Sequence, residues 1–103
     1  MASFVDDAAT SDHLAGVLKA LANPARLRIV AALCEGSENV GALAERLGLE
    51  PAIVSQQLRI LRMSGLVEAS RSEGFAVYRL AEPRLKELVG CLEKCRMLPG
   101  RRK

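Results

Sequence analysis

The sequence predicts a mainly α-helical domain that carries one small β-hairpin. Half of its 103 residues are apolar but only 3% are aromatic, so the core must be aliphatic, and such a composition favours helices. Two runs rich in β-branched and aromatic residues, LVEASR and FAVYRL, flank a glycine-containing turn at residues 72–74, which predicts the hairpin. A chain of this length holds one core. We expect one domain over residues 10–98, between a flexible arm at 1–9 and a basic flexible tail at 99–103.

The first two helices are predicted by apolar spacing and capping residues. Thr10 or Ser11 can cap a first helix whose apolar residues follow the i, i+3, i+4, i+7 pattern. Asn23 followed by Pro24 is typical of a cap and a first helical residue. This pair opens a second helix, which we expect to end near Gly36.

Two further helices are joined by a very short turn. A polar break at residues 37–39 leads into VGALAERLG, which predicts a short helix with Gly48 at its C-terminal end. Only two residues separate it from Pro51, which starts a helix that runs to a stop at Gly65. Two helices joined so closely are typical of a helix-turn-helix.

A last helix is predicted after the hairpin. Glu82 and Pro83 open it, and the sequence Pro99-Gly100 ends it. Its apolar residues share one broad face: Leu85, Leu88, Val89, Leu92 and Cys95. A chain this short buries only a modest fraction of its surface, so we expect this face to lie in a dimer interface.

Charge and cysteine content narrow the possible functions. The net charge is +3, and residues 101–103 alone supply three of the basic groups. Residues 51–67 hold two arginines and no acid, which indicates a local basic surface there. The sequence shows no export signal and no run of eighteen apolar residues, and its three cysteines indicate reduced thiols. We therefore expect a cytoplasmic protein without a membrane partner. One histidine, no glycine-rich phosphate loop and no clustered carboxylates argue against an enzyme.

The helix that starts at Pro51 carries the residue types that read DNA. Val54, Leu58 and Leu61 form its inward stripe, so the opposite side is polar or basic. Glutamine can bond an adenine edge, serine several bases, and arginine guanine or phosphate. We predict that double-stranded DNA is contacted by Ser55, Gln56, Arg59 and Arg62 on this helix and by Arg71 and Arg79 in the hairpin. The alternative is an ordinary solvated surface.

These motifs together resemble the ArsR/SmtB family of winged helix-turn-helix repressors. The resemblance covers residues 14–95 and rests on LKALANPARLRIVAAL, on VSQQLRILR and on the GLV that enters the hairpin. It implies a homodimer that packs its first and last helices together, binds operator DNA and leaves it when an effector binds. It also implies DNA contacts from Ser55, Gln56 and Gln57, although Gln57 is expected to point partly towards the preceding helix.

The sequence departs from two metal-sensing patterns of that family. Asn39 and Gly41 stand where metalloid sensors have a cysteine pair at the start of the third helix. Sensors of zinc, cobalt or nickel use Asp and His on the last helix, but the only histidine here is His13, which we expect to be solvated on the first helix. An effector of this chain must therefore use other ligands.

Three cysteines are the candidate ligands. Cys91 and Cys95 are one turn apart on the last helix, with an expected Cβ separation of about 5–6 Å, which is wide for a disulfide. Thiolates can bridge such a gap to a soft ion. We expect no constitutive cofactor, and we predict that arsenite, As(III), or another soft metal ion binds this pair as an effector that releases DNA. Cys34 or the partner subunit would supply a third ligand.

Other functions remain open at this stage. A redox or sulfide sensor would pair Cys34 with Cys91 or Cys95. The cysteines can also be small buried hydrophobes in a repressor that has no small effector. A winged helix can further serve as a protein-interaction module without DNA, and its binding would then depend little on salt.

Overall fold

The computed structural model describes residues 4–95 and 97–99. Within these ranges the helices are α1 (Ala8–Leu21), α2 (Pro24–Leu33), α3 (Val40–Leu47), α4 (Pro51–Met63) and α5 (Leu85–Glu93). The strands are β1 (Glu38–Asn39), β2 (Val67–Ser72) and β3 (Phe75–Leu80), which form one antiparallel sheet in the order β1-β3-β2. The predicted mainly helical fold with a hairpin wing is confirmed.

The core lies where α2, α3 and α4 meet and where the base of the hairpin closes over them. Its most deeply buried side chains are all aliphatic: Ile29, Val30, Leu43, Val54, Leu58 and Leu61. Full burial of one such side chain contributes about 1.5–3 kcal/mol relative to its exposure. Three of the six belong to α4, so the core determines how that helix is oriented.

Local capping explains where the central helices begin and end. The Asn23 side chain accepts a hydrogen bond from the Arg26 backbone N–H at 3.0 Å, which confirms the predicted cap before Pro24. Asn39 caps α3 in the same way, and α3 ends at Gly48, whose φ of 69° is left-handed. The predicted bounds of the helix-turn-helix are therefore confirmed.

The first helix begins earlier than we predicted. Asp7, rather than Thr10 or Ser11, is its cap, because the Asp7 carboxylate accepts hydrogen bonds from the Thr10 backbone N–H at 3.1 Å and the Thr10 hydroxyl at 2.6 Å. These hydrogen bonds hold the pKa of Asp7 below its usual value. Phe4–Asp6 form a short 3-10 turn, so part of the arm predicted at 1–9 is helical, and residues 1–3 lie outside the described residues.

The last helix is shorter than predicted at its N-terminal end. Pro83 does not start it, because the Glu82 side chain accepts from the Arg84 backbone N–H at 2.9 Å and the Glu82 carbonyl accepts from the Leu85 N–H. These bonds form a turn, and α5 begins only at Leu85.

The C-terminal end of α5 also differs from the prediction. The Lys94 N–H bonds to the carbonyls of both Gly90 and Cys91, and the Cys95 N–H bonds to the Leu92 carbonyl at 3.1 Å. Bonds to the third residue back tighten the backbone and end the α-helix after Glu93. Cys95 therefore lies beyond the helix. Of the predicted basic tail, only Pro99 is among the described residues.

The sheet contains one strand that the sequence did not predict. We expected residues 37–39 to be a polar break, but Glu38 pairs with Tyr78 and Asn39 with Val77 on β3. The β2–β3 hairpin is confirmed, with Glu73 and Gly74 both at positive φ, as a two-residue turn of type I′ requires. In the described part of the chain, no helix has the length and apolar content needed to cross a membrane.

Candidate nucleic-acid interface

One side of α4 is held rigidly and the other side is open. Val54, Leu58 and Leu61 are 0% exposed, so the helix cannot rotate about its axis without opening the core. The residues predicted to face outward are all exposed: Ser55, Gln56, Arg59 and Arg62. Within the described residues, these four side chains have no hydrogen bond or ion pair with the protein. They are therefore available to an external ligand.

Gln57 differs from these four residues. It is half-buried, and its Oε1 accepts a hydrogen bond from the Arg26 guanidinium at 2.8 Å. We expected Gln57 to point partly towards α3, but its bonded partner lies on α2. Sequence reasoning missed Arg26, although it stands three residues after the Asn23 cap, inside the motif that carried the family resemblance.

The hairpin does not bring its two predicted DNA-binding arginines together. Arg79 is paired with Glu68 and Arg71 with Ala76 in the strand register, and side chains alternate along a strand. Paired residues share a face, so Arg79 lies on the same face as Glu68. Arg71 is three positions after Glu68 on β2, an odd number, so Arg71 and Arg79 lie on opposite faces of the hairpin.

The two arginines also differ in their bonding. A carboxylate oxygen of Glu68 lies 2.7 Å from Arg79, which partly neutralises its charge, whereas Arg71 donates to the Gly74 carbonyl at the hairpin turn. Arg71 is therefore the better placed of the two to reach a phosphate. The Arg79–Glu68 pair is exposed, and such surface pairs are weak.

The three cysteines lie in different surroundings. Cys91 is exposed, whereas Cys34 and Cys95 are half-buried. Burial raises the pKa of the Cys34 thiol above its usual value, and the nearby Lys86 ammonium opposes this rise. The Cys95 sulfur accepts a weak hydrogen bond from the Met97 N–H at 3.5 Å. In the described part of the chain, no three His, Cys, Asp or Glu side chains are grouped so that they can hold a metal ion.

Cys34 and Cys95 each follow the C-terminal end of a helix, α2 and α5 respectively. Cys34 follows the C-terminal end of α2, where Leu33 and Lys86 line the same cleft. Leu27 of α2 shares a groove with Leu92 and Leu98. The Glu93 carboxylate, two residues before Cys95, also acts on the Cys34 thiol and helps to raise its pKa.

Comparison with known proteins identifies the family and the type of fold. Residues 23–69 match the model of the arsR family of bacterial regulatory proteins. The biofilm growth-associated repressor of Xylella fastidiosa is 40% identical over 82 residues, which are 80% of this chain and 72% of that protein. The HTH-type transcriptional regulator NmtR of Mycobacterium tuberculosis is 40% identical over 83 residues, which are 81% of this chain and 69% of that protein.

Two solved structures are similar over most of their length. The transcriptional repressor BigR from Xylella fastidiosa superposes with a TM-score of 0.78 at 38% identity, over 87% of this chain and 92% of that chain. A homodimeric winged helix-turn-helix DNA-binding domain from Mycobacterium bovis superposes with a TM-score of 0.76 at 36% identity, over 86% and 82% of the two chains. Similar proteins of this kind are DNA-binding regulators and not enzymes. The chain therefore belongs to the ArsR/SmtB family of winged helix-turn-helix transcriptional repressors.

Proposed function

We propose that this repressor binds operator DNA as a homodimer, with α4 of each protomer in the major groove. The observation that carries this proposal is the open polar and basic face of α4 above a fully buried stripe. Ser55 and Gln56 would bond base edges, and Arg59 and Arg62 would bond guanine or phosphate. In such dimers the two recognition helices are about 34–36 Å apart, one turn of DNA. A repressor that reads chromosomal DNA in this way acts in the cytoplasm.

Exposed apolar surface on the outer helices supports the dimer. Leu18 on α1 is 56% exposed and Leu92 on α5 is 42% exposed, and Leu27 of α2, which shares a groove with Leu92, is 38% exposed. Apolar side chains clustered at the surface mark an interaction site. The Mycobacterium bovis domain that superposes on this chain is described as homodimeric, and a second copy is the partner that we propose here.

The first experiment measures DNA affinity as a function of salt concentration. Fluorescence anisotropy with the duplex upstream of the coding sequence should show affinity that falls steeply between about 50 and 200 mM salt, as phosphate contacts require. Gln56→Ala should weaken binding, whereas Arg84→Gln, an exposed change outside α4 and the hairpin, should leave it within about twofold. Binding that is insensitive to salt would indicate a protein-interaction module instead.

We propose further that Cys91 and Cys95 form the effector site and that arsenite or another soft metal ion is the effector. Two observations support this pair: Cys91 is exposed, and Leu92, an exposed apolar residue of the surface that we assign to the dimer, lies between the two cysteines in the sequence. One protomer supplies two thiols, so the third ligand would come from the partner subunit. The ion would release DNA if it bound the dimer form that fits DNA poorly more tightly than the form that fits DNA well. A difference of about 1–3 kcal/mol between these two binding free energies would lower DNA affinity about 5- to 150-fold.

The redox or sulfide alternative is less well supported by the geometry. Burial raises the pKa of Cys34, so its reactive thiolate is scarce at neutral pH. Cys34 is also half-buried, whereas Cys91 is exposed to solvent.

Titrations with arsenite, cadmium, peroxide and polysulfide distinguish these effectors. In a gel-shift assay, the variant with Cys91→Ser and Cys95→Ser should bind DNA normally and no longer be released by arsenite, while Cys34→Ser should still respond. If release persists in the double variant, the proposed site is wrong. A mass increase under denaturing conditions after peroxide or polysulfide would support covalent sensing instead.

A further inference from the structure

Arg26 connects three helices through its backbone and its side chain. Its backbone N–H caps α2 on Asn23, its Nε donates to the Ala20 carbonyl near the end of α1 at 2.5 Å, and its Nη1 donates to Gln57 on α4 at 2.8 Å. All three contacts are partly buried, so water competes with them less than at an open surface. The guanidinium is thus a fixed bridge from α1 to the recognition helix.

This bridge determines which way the Gln57 amide faces. A guanidinium has only donors, so the group of Gln57 that meets it must be the carbonyl oxygen. A hydrogen bond from a charged donor is stronger than one between neutral groups, and it holds the amide in this orientation. The oxygen therefore faces α2, and the N–H2 group is the part of the amide that remains for another partner.

We infer that Arg26 is a positioning residue, and that it presents Gln57 to DNA as a hydrogen-bond donor. The acceptor would be a phosphate oxygen or an acceptor atom on a base edge, such as guanine O6 or thymine O4. This inference rests on the proposed function, because it assumes that α4 lies against DNA. It distinguishes Gln57 from Gln56, which is exposed with neither end of its amide engaged by the protein.

The bridge also ties the recognition helix to α1. Gln57 lies between Val54 and Leu58 in the sequence, and both of these are fully buried, so the core holds in place the part of α4 that carries Gln57. A change in how α1 packs in the dimer would act on the Ala20 carbonyl and, through Arg26, on Gln57.

A double-mutant cycle tests whether Arg26 acts through Gln57. The probe is the best duplex that the wild-type protein selects from a randomised library. Arg26→Met and Gln57→Met each keep an unbranched side chain and remove the polar group. We expect Gln57→Met to lower the affinity for this duplex about fivefold or more, and Arg26→Met to lower it as well. The double variant should bind the duplex within about twofold of Gln57→Met, because Arg26 has no further effect once Gln57 is gone.

Several outcomes would overturn the inference. If Gln57→Met binds as tightly as wild type, Gln57 does not contact DNA, and if the two losses multiply, Arg26 does not act through it. If no duplex is enriched by the wild-type protein, the proposed function itself fails. Thermal melting monitors folding. If a methionine variant fails to fold, Gln57→Glu replaces it, because its carboxylate still accepts a hydrogen bond from Arg26 but has no hydrogen to donate. Wild-type affinity in Gln57→Glu would also overturn the inference.

The same selection distinguishes the two kinds of acceptor. Loss of preference at one base position in the Gln57→Met profile assigns the acceptor to a base edge. A loss of affinity that is uniform over all sequences, with a smaller salt slope, assigns it to a phosphate.

Discussion

The recognition helix α4 and the last helix α5 are both amphipathic, but one protomer buries them to very different extents. Three apolar residues of α4 are 0% exposed, whereas α5 has one buried residue, Leu85, and leaves Leu92 at 42%. The contrast shows that the DNA-reading part is complete within one chain. The apolar face of α5 that we propose for dimerisation and effector binding is left largely unburied in one protomer, so its packing can change without disrupting the core around α4.

The largest expected effect is the loss of a core side chain of α4. Leu58→Ala removes a fully buried leucine and should lower the free energy of unfolding by about 2–5 kcal/mol, because a cavity remains in a close-packed core. Urea denaturation measures this loss. Leu92→Ala is the matched control on α5, and it should cost clearly less at protein concentrations where the monomer dominates. Equal losses would remove the contrast between the two helices.

An intermediate effect is expected from a charge on the apolar face of α5. Leu92→Glu should raise the dimer dissociation constant on the order of tenfold or more, since the carboxylate would have to be buried in the interface. Light scattering after size-exclusion chromatography measures the oligomeric state. The monomer fold should be retained, because Leu92 is not part of the core. An unchanged dimer would place the interface elsewhere.

The smallest effect is expected at the surface of the helix-turn-helix. Arg46 of α3 donates two hydrogen bonds of 2.9 Å to the Glu35 carboxylate, and these bonds, with the charge of Arg46, lower the pKa of Glu35. The pair therefore contributes stability above the unfolded-state pKa, and the contribution is lost as the pH falls through the lowered pKa. Glu35→Gln should melt slightly below wild type at pH 7.

A pH series of melting temperatures checks the sign of this prediction. The difference between Glu35→Gln and wild type should shrink as the pH is lowered and vanish once Glu35 is protonated in both the folded and unfolded states. A difference that stays constant with pH would mean that the ion pair is not its cause. A small effect here would also show that the core, and not surface charge, holds α3 against the end of α2.

Sequence patterns predicted α4 well and α5 poorly, for identifiable reasons. Pro51 and Gly65 bracket α4 and act on the backbone next to them, so its bounds were predictable. Around α5, Pro83 was compatible with a helix start, but the Glu82 side chain stabilises a turn instead. No residue type marks the tightening after Glu93, and this placed Cys95 outside the helix.

The candidate site was predictable in outline but not in its couplings. The outward residues of α4 followed from helical periodicity, and the structure places them on its exposed face. The bond between Arg26 and Gln57 joins residues 31 positions apart, and the Arg79–Glu68 pair depends on strand register. Neither contact follows from local spacing, which is why Arg26 was missed and why Arg71 and Arg79 were grouped together.

The sequence by itself determined the helix-turn-helix, the hairpin and the family of this protein, because caps, turn glycines and apolar periodicity act within a few residues. Only the tertiary structure decided that β1 joins the sheet and that Gln57 is held by Arg26 of α2. These are contacts between segments distant in the chain. They depend on how the helices pack around one core, and local residue patterns do not specify that packing.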